Sequence, residues 1–431
     1  MDKGIAMPTP YLINKISKAV WPYTNRILLG DLNNDGILEM VLLQADNDID
    51  DRFIPHQLTC IMAVDVHGRE LWRVGEPKRE MGKTGSDFPA QIYDIDGDGE
   101  NEVLCVMGKK FLVLEGKSGR VKAEYPLPNE YAHDCIILAN LEGADKPKNV
   151  ILKNRYHKMW AMNHDFSVKW TFEGNPGHFP YPYDINNDGY DEIMAGYDLL
   201  DRNGNILWSV NQDGHADCIF VADLYGDGQR QFVIGGSTTA IYDANGKELA
   251  RYDDSVETQH IAVGKFLPDE KGTQIACLDR IIRGDQGAIK SDAPQPKDGI
   301  FLLNNHAQLL WKEERTTAGW LTIIETLSNW DDTGRDYILA YRRGGGIKPT
   351  LYSGEIKNGA LTAVATFPTE GYVVHAPLFG DGREDVVIFD SENIYIYSSV
   401  ERDLQSLPKH APKPQPKRLY MATLYPGDER T

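Results

Sequence analysis

Three nine-residue stretches share one pattern: Asp31-Leu-Asn-Asn-Asp-Gly-Ile-Leu-Glu39, Asp94-Ile-Asp-Gly-Asp-Gly-Glu-Asn-Glu102 and Asp184-Ile-Asn-Asn-Asp-Gly-Tyr-Asp-Glu192. Each reads D-x-[DN]-x-D-G-x-x-E and each lies between two apolar runs. Oxygen-bearing side chains at alternate positions, with a glycine that lets the chain reverse, suit a hard cation such as Ca²⁺. An EF-hand is excluded, because its loop needs an acidic group at position 12, where these loops carry Leu42, Cys105 and Ala195. The acid comes instead at position 9, and the apolar residues after it read as a strand. The expected ligands are the side chains at positions 1, 3, 5 and 9 and the carbonyl at 7. These are Asp31, Asn33, Asp35, Ile37 and Glu39; Asp94, Asp96, Asp98, Glu100 and Glu102; and Asp184, Asn186, Asp188, Tyr190 and Glu192. A plain Asp/Asn/Gly turn is the alternative, but carboxylates crowded this closely repel one another without a cation.

Weaker copies fill the gaps. Ala139-Asn-Leu-Glu-Gly143, Asp223-Leu-Tyr-Gly-Asp-Gly228, Lys265-Phe-Leu-Pro-Asp269, Asn329-Trp-Asp-Asp-Thr-Gly334 and Leu378-Phe-Gly-Asp-Gly382 also separate apolar runs. Their ligand sets are broken: Tyr225 and Gln231 stand where Asn or Asp and Glu belong, so these are expected to keep the turn and lose the ion. Downstream of the loops, Val64-Asp-Val-His-Gly-Arg-Glu-Leu-Trp72, Leu200-Asp-Arg-Asn-Gly-Asn-Ile-Leu-Trp208 and Tyr242-Asp-Ala-Asn-Gly-Lys-Glu-Leu249 read as hairpins with tight turns. Each unit is therefore strand, acidic loop, strand, variable loop, strand, tight turn, strand, which is one propeller blade. The expected fold is an all-β, eight-bladed β-propeller, with seven blades as the alternative because the sixth and seventh units carry weak signals. Residues 24–400 form the propeller, 1–23 an N-terminal segment and 401–431 a Pro/Lys-rich tail. Stretches 11–20 and 418–425 are candidate ring-closing strands, and 408–417 reads as an extended connector.

Composition agrees with one large all-β body: 431 residues, 41% hydrophobic, 40 glycines and 21 tyrosines, with no long helical period. Five scattered cysteines form neither a disulfide framework nor a metal-spacing pattern. No secretory apolar core or membrane-length apolar run is visible, so a cytoplasmic location is expected, with secretion as the alternative if a leader was removed. A net charge of −19 argues against nucleic acid and anionic membranes as partners.

In a blade, the acidic loops occupy one end of the ring, and the starts of the first strands occupy the other. Long insertions at 46–57, 75–87 and 279–299 fall on that second face, where function is expected. His133, His178, His215, His260 and His375 all lie near the start of a first strand. Singly, each reads as a structural histidine; together they mark a site. Arg26, Arg155, Arg280, Arg283, Arg342 and Arg343 reach the same face, and planar guanidinium forks suit carboxylates. Tyr131, Tyr156, Tyr181, Tyr183 and Tyr197 offer stacking, phenolic hydrogen bonds or packing. Histidine, tyrosine and arginine together fit β-elimination on a uronic acid, in which the carboxylate is neutralised, a base takes the C5 proton and O4 departs protonated. A glycosidase would want paired carboxylates there; Asp198 and Asp217 are the candidates.

The runs Asn154-Arg-Tyr-His-Lys-Met-Trp-Ala161, Gly177-His-Phe-Pro-Tyr-Pro-Tyr-Asp184 and Gly214-His-Ala-Asp217 resemble the propeller polysaccharide lyases. The nearest group is the rhamnogalacturonan lyases of polysaccharide lyase family 11, with ulvan lyases as cousins. The acidic loops are FG-GAP-like and are shared with integrin-like and binding-only propellers, so they carry little specificity. The resemblance implies Ca²⁺, an acidic oligo- or polysaccharide substrate and lysis of a rhamnose–uronate linkage. By position it implies His178 and His215 as base and acid, Arg155 as carboxylate neutraliser, and Tyr156 and His260 as assistants. His133, Arg26, Arg280, Arg283, Tyr181 and Asp217 are the expected substrate-binding residues. Two other readings stay open: a non-catalytic propeller that binds acidic sugar or a protein, and a glycoside hydrolase acting at rhamnose–glucuronate ends.

Overall fold

The computed structural model describes residues 10–19, 21–24, 26–46, 49, 53–78, 87–282, 294–316 and 322–407, and the backbone of 428–430. The connector at 408–417, the candidate strand at 418–425 and Arg283 lie outside the described residues. Among those described there is no α-helix, only one short 3₁₀ turn at Leu404–Ser406, and no helix long and apolar enough to cross a membrane.

The strands form seven hydrogen-bonded sheets: five of four strands, one of five and one of eight. The largest consists of two four-stranded meanders, tied by a single parallel bridge between Leu58 and Met107. This all-β arrangement of consecutive antiparallel four-strand units is compatible with a propeller. First strands succeed one another in contact, from Arg26–Gly30 through Ala90–Tyr93, Ile136–Ala139, Tyr181–Tyr183, Cys218–Ala222 and Thr258–Gly264 to Thr322–Ser328. The last of them, Tyr372–Ala376, returns to touch Arg26–Gly30. Its sheet is completed by Tyr11–Ser17, which pairs antiparallel with Asn393–Ser398 from the other end of the chain. Backbone 428–430 runs parallel to Phe220–Ala222.

Burial explains the sequence pattern. First strands such as Arg26–Gly30 and Cys218–Ala222 are buried at every position and read as continuous apolar runs. Fourth strands such as Val121–Pro126 are largely exposed and therefore polar. Neighbouring four-stranded units are fastened at their outer edges by a recurring indole. Trp72 Nε1 donates to the Gly116 carbonyl at 2.6 Å, Trp170 to Arg202 at 3.0 Å, Trp208 to Ala244 at 3.0 Å and Trp311 to Gly359 at 2.8 Å. Each acceptor sits in the tight turn of the next four-stranded unit. Gly204 shows why that turn needs glycine: its φ is +82°, and an added Cβ would lie 2.8 Å from the Trp170 ring.

Five of the turns between first and second strands share one staple, whatever their ligand set. Glu39 accepts from Leu32 N–H at 2.8 Å, and Glu102 and Glu192 accept from Ile95 and Ile185 at 3.1 Å. In the weaker copies an amide does the same: Gln231 for Leu224 at 2.9 Å and Gln274 for Leu267 at 2.7 Å. Position 9 thus satisfies a buried backbone donor, and an amide can keep the turn without the charge.

Candidate active site

At the end of the molecule where first strands begin, buried and half-buried side chains from several sheets meet. The acidic loops lie at the opposite strand ends, a separation of roughly 15 Å for a five-residue strand. The cluster starts at the hairpin loop that succeeds Asn149–Asn154. There Arg155 has φ +37°, an unfavourable left-handed conformation for a residue with a side chain. Its guanidinium is almost wholly buried and pairs with Asp134 Oδ1 at 2.8 Å and Asp87 Oδ2 at 3.2 Å. Lys153, also buried, pairs with the other oxygen of Asp134 and donates to the Arg155 carbonyl at 3.0 Å. Arg155 was expected to meet the substrate's carboxylate; its guanidinium is instead buried between two aspartates of the protein.

From Asp87 the network continues to His178, whose Nδ1 lies 3.8 Å from Asp87 Oδ2 and whose Nε2 lies 3.4 Å from Asp217 Oδ1. His215 Nε2 is 3.3 Å from the same Asp217 oxygen, which also accepts from Gln259 Nε2 at 2.7 Å. The Tyr156 hydroxyl is 3.1 Å from His178 Nε2, and its ring centroid is 4.7 Å from that of His215. Gly177 makes this approach possible: His178 N–H donates to the Ala216 carbonyl, and a Cβ on Gly177 would sit 2.8 Å from that oxygen. Tyr197 steadies the start of the neighbouring strand, its hydroxyl donating to the His215 carbonyl at 3.1 Å.

The charges are set by this packing. Burial opposes ionisation of Asp87, but His178, Arg155 and Lys153 outweigh it and hold the carboxyl well below the usual range. Burial likewise opposes the imidazolium of His178, yet Asp217 and Asp87 raise its pKa. Asp217 is lowered by the two histidines His178 and His215 despite its burial. His260 is different: burial, with His178, Arg343 and Arg280 nearby, pushes it down to about 3 against the pull of Asp217. It is neutral near pH 7 and carries no acidic proton to donate there.

Other expected residues lie outside this contact set. His133 is buried with Nδ1 3.0 Å from the His56 carbonyl, and Tyr181 packs in the core between sheets. Arg280 pairs with Glu257, and Arg26 is buried over the Phe88 ring at 5.7 Å. His375 lies between Glu384 at 2.7 Å and Glu325 at 3.4 Å. Asp87, Asp134, Lys153 and Gln259 are members that sequence reasoning missed. One signal was present: Asp134-Cys-Ile repeats Asp217-Cys-Ile at equivalent strand starts.

Comparison with known proteins adds a family context. No family model matches the chain. It is 24% identical over 462 aligned positions to the rhamnogalacturonan exolyase YesX of Bacillus subtilis, covering 88% of this chain and 72% of that protein. Over a shorter stretch it is 23% identical to the rhamnogalacturonan endolyase YesW of the same organism, covering 46% of this chain and 42% of that one. The chain is thus similar in sequence to two rhamnogalacturonan lyases. Among solved structures, exotype lyase YesX aligns with a TM-score of 0.63 at 19% identity, over 91% of this chain and 75% of that one. The Vibrio cholerae biofilm matrix protein Bap1 aligns at 0.61 and 12% identity, over 91% of both chains. The scaffold is thus shared beyond lyases, and the functional argument rests on the site.

Proposed function

We propose that this protein is a polysaccharide lyase of the rhamnogalacturonan type, cleaving a rhamnose–uronic acid linkage by β-elimination on an eight-bladed β-propeller. Eight consecutive four-stranded units, the last completed by Tyr11–Ser17, support the blade count. The observation that carries the function is the Tyr156 hydroxyl, 3.1 Å from His178 at the half-open end of a buried charge network.

Both imidazoles direct Nε2 at one oxygen of Asp217, and the Tyr156 hydroxyl beside them is the group assigned to meet the sugar. Acting as the phenolate, its own proton first released to solvent, Tyr156 takes the C5 proton; the C–H electrons form the C4=C5 bond as the bond to O4 breaks, and O4 leaves with a proton drawn from solvent. Arg155, Lys153, Asp134 and Asp87 fix the position of the cluster. An acidic galacturonate- or glucuronate-containing chain is the substrate class.

Ca²⁺ fits the three acidic loops as a structural ion. Their donors are all oxygens, and Asp94 Oδ1 is buried without a hydrogen-bond partner among the described residues. Burial and the facing aspartates push the Glu39 carboxyl up to about 8 and Glu192 up to about 7, a repulsion that a divalent cation relieves. The second loop differs, because Lys122 already contacts Asp96, Asp98 and Glu102.

The test is ultraviolet absorbance with rhamnogalacturonan and ulvan oligosaccharides, products checked by mass. A 4,5-unsaturated uronate is expected, and Tyr156→Phe should lower kcat by about 10²–10⁴-fold without moving the melting temperature. Products carrying an added water and no absorbance would replace elimination by hydrolysis. Bound but uncut oligosaccharide would leave a binding propeller.

A further inference from the structure

Elimination needs the uronate carboxylate neutralised, and the Arg155 guanidinium is buried between Asp87 and Asp134. The geometry beside it offers a different cation. We propose that His178, His215 and Asp217 bind one divalent transition ion of the Zn²⁺ class, with Tyr156 next to its open position. A ring nitrogen of each histidine and a carboxylate oxygen of Asp217 all lie within 4.8 Å of one another.

The separations fit such an ion. Metal–nitrogen and metal–oxygen bonds of about 2.0–2.2 Å at tetrahedral angles place neighbouring ligand atoms roughly 3.3–3.6 Å apart. His215 Nε2 and His178 Nε2 are 3.3 Å and 3.4 Å from Asp217 Oδ1. The donor set is chemically distinct from the acidic loops: two imidazole nitrogens and one carboxylate select a borderline-soft ion over Ca²⁺, which takes about six to eight oxygens. Outer groups orient the ligands, as metal sites require. Asp87 stands behind His178 Nδ1 at 3.8 Å, and Gln259 holds the ligating oxygen of Asp217 at 2.7 Å. Three protein ligands leave a fourth position, the pattern of catalytic sites. The Tyr156 hydroxyl, 3.1 Å from His178 Nε2, borders that position. A uronate carboxylate bound there would be neutralised within reach of the phenol oxygen. This catalytic role rests on the elimination reading; the existence of the site does not.

The same distances also suit two imidazole N–H groups sharing Asp217, and the experiment separates the two. The full protein is stripped of metal, saturated with Ca²⁺ to fill the oxygen loops, and titrated with Co²⁺ under visible absorption. One equivalent is expected to give intense d–d bands, which one equivalent of Zn²⁺ abolishes. His215→Gln, at a partly exposed position that tolerates change, should lose the bands while keeping its melting temperature in Ca²⁺. Asp87→Asn should weaken binding about 10- to 100-fold. His164→Gln, at an exposed histidine outside the cluster, should leave the bands intact. Absence of bands with Ca²⁺ present, or bands that survive in His215→Gln, overturns the proposal. Cobalt bands in a protein that leaves every acidic oligosaccharide uncut would uphold the site and remove the elimination reading. Unsaturated product from protein without any bound transition ion would uphold elimination and overturn the ion's catalytic role.

Discussion

Replacing Arg155 by alanine separates a structural guanidinium from a substrate-binding one. The side chain bridges Asp134 at 2.8 Å and Asp87 at 3.2 Å, and both carboxylates are essentially inaccessible. Removing one partner of a buried ion pair costs about 3–5 kcal/mol, because the other charge stays buried. Asp134 keeps Lys153, and Asp87 keeps His178 at 3.8 Å, so the low end of that range, about 3 kcal/mol, is expected. The backbone supplies an internal control. Arg155 sits at φ +37°, where a residue with a Cβ is strained by roughly 1–2 kcal/mol and glycine is not. Arg155→Gly should therefore be about 1 kcal/mol less destabilised than Arg155→Ala. Urea unfolding monitored by tryptophan fluorescence at fixed Ca²⁺ measures both, alongside kcat and KM on an oligosaccharide. A loss below about 1 kcal/mol combined with a tenfold rise in KM would refute the argument and return the guanidinium to the substrate.

Two further perturbations test other parts of the molecule. Burial opposes protonation of His375, but Glu384 and Glu325 outweigh it and push its pKa up to about 9. Because the folded value lies above the unfolded one of about 6.5, this stabilisation is complete below pH ~6.5 and is lost as pH rises through ~9. The wild type should thus lose stability across that window more steeply than His375→Gln; equal slopes would show that the imidazolium contributes nothing. Chelation of the acidic loops should lower the melting temperature, with Ca²⁺ restoring about 2.7 kcal/mol of stability per site at a hundredfold excess over Kd. Asp184→Ala should remove part of that gain and leave KM unchanged, since its loop lies a strand length from Tyr156; an unmoved melting curve would argue for metal-free turns.

Much of the fold was legible because it is written locally. Gly36, Gly99 and Gly189 take positive φ in turns that only small or polar residues close, and the apolar runs on either side mark strands buried on both faces. Even the broken copies were readable as turns, since Gln231 and Gln274 accept the same backbone donor as Glu39. The candidate site was legible only in part. His178, His215, Tyr156 and Asp217 lie near strand ends on one face and could be grouped from the repeat. Asp87, which faces Arg155 and His178, and Asp134, which faces Arg155 and Lys153, were not grouped with them from the chain.

What the sequence alone determined is therefore the repeating unit: its strands, its acidic loops and the end of each strand on which titratable residues gather. Which of those residues touch was decided only by tertiary structure. His178 lies 91 residues from Asp87 and 39 from Asp217 along the chain, yet it faces both. That meeting depends on how the sheets pack, and on Gly177 letting two backbones approach. Local propensity acts over a few residues, whereas the state of an ionisable group depends on every charge within several ångströms, whatever its position in the chain. For that reason Arg155 could be recognised as an arginine on the right face, and only the folded protein reveals it clamped between two aspartates.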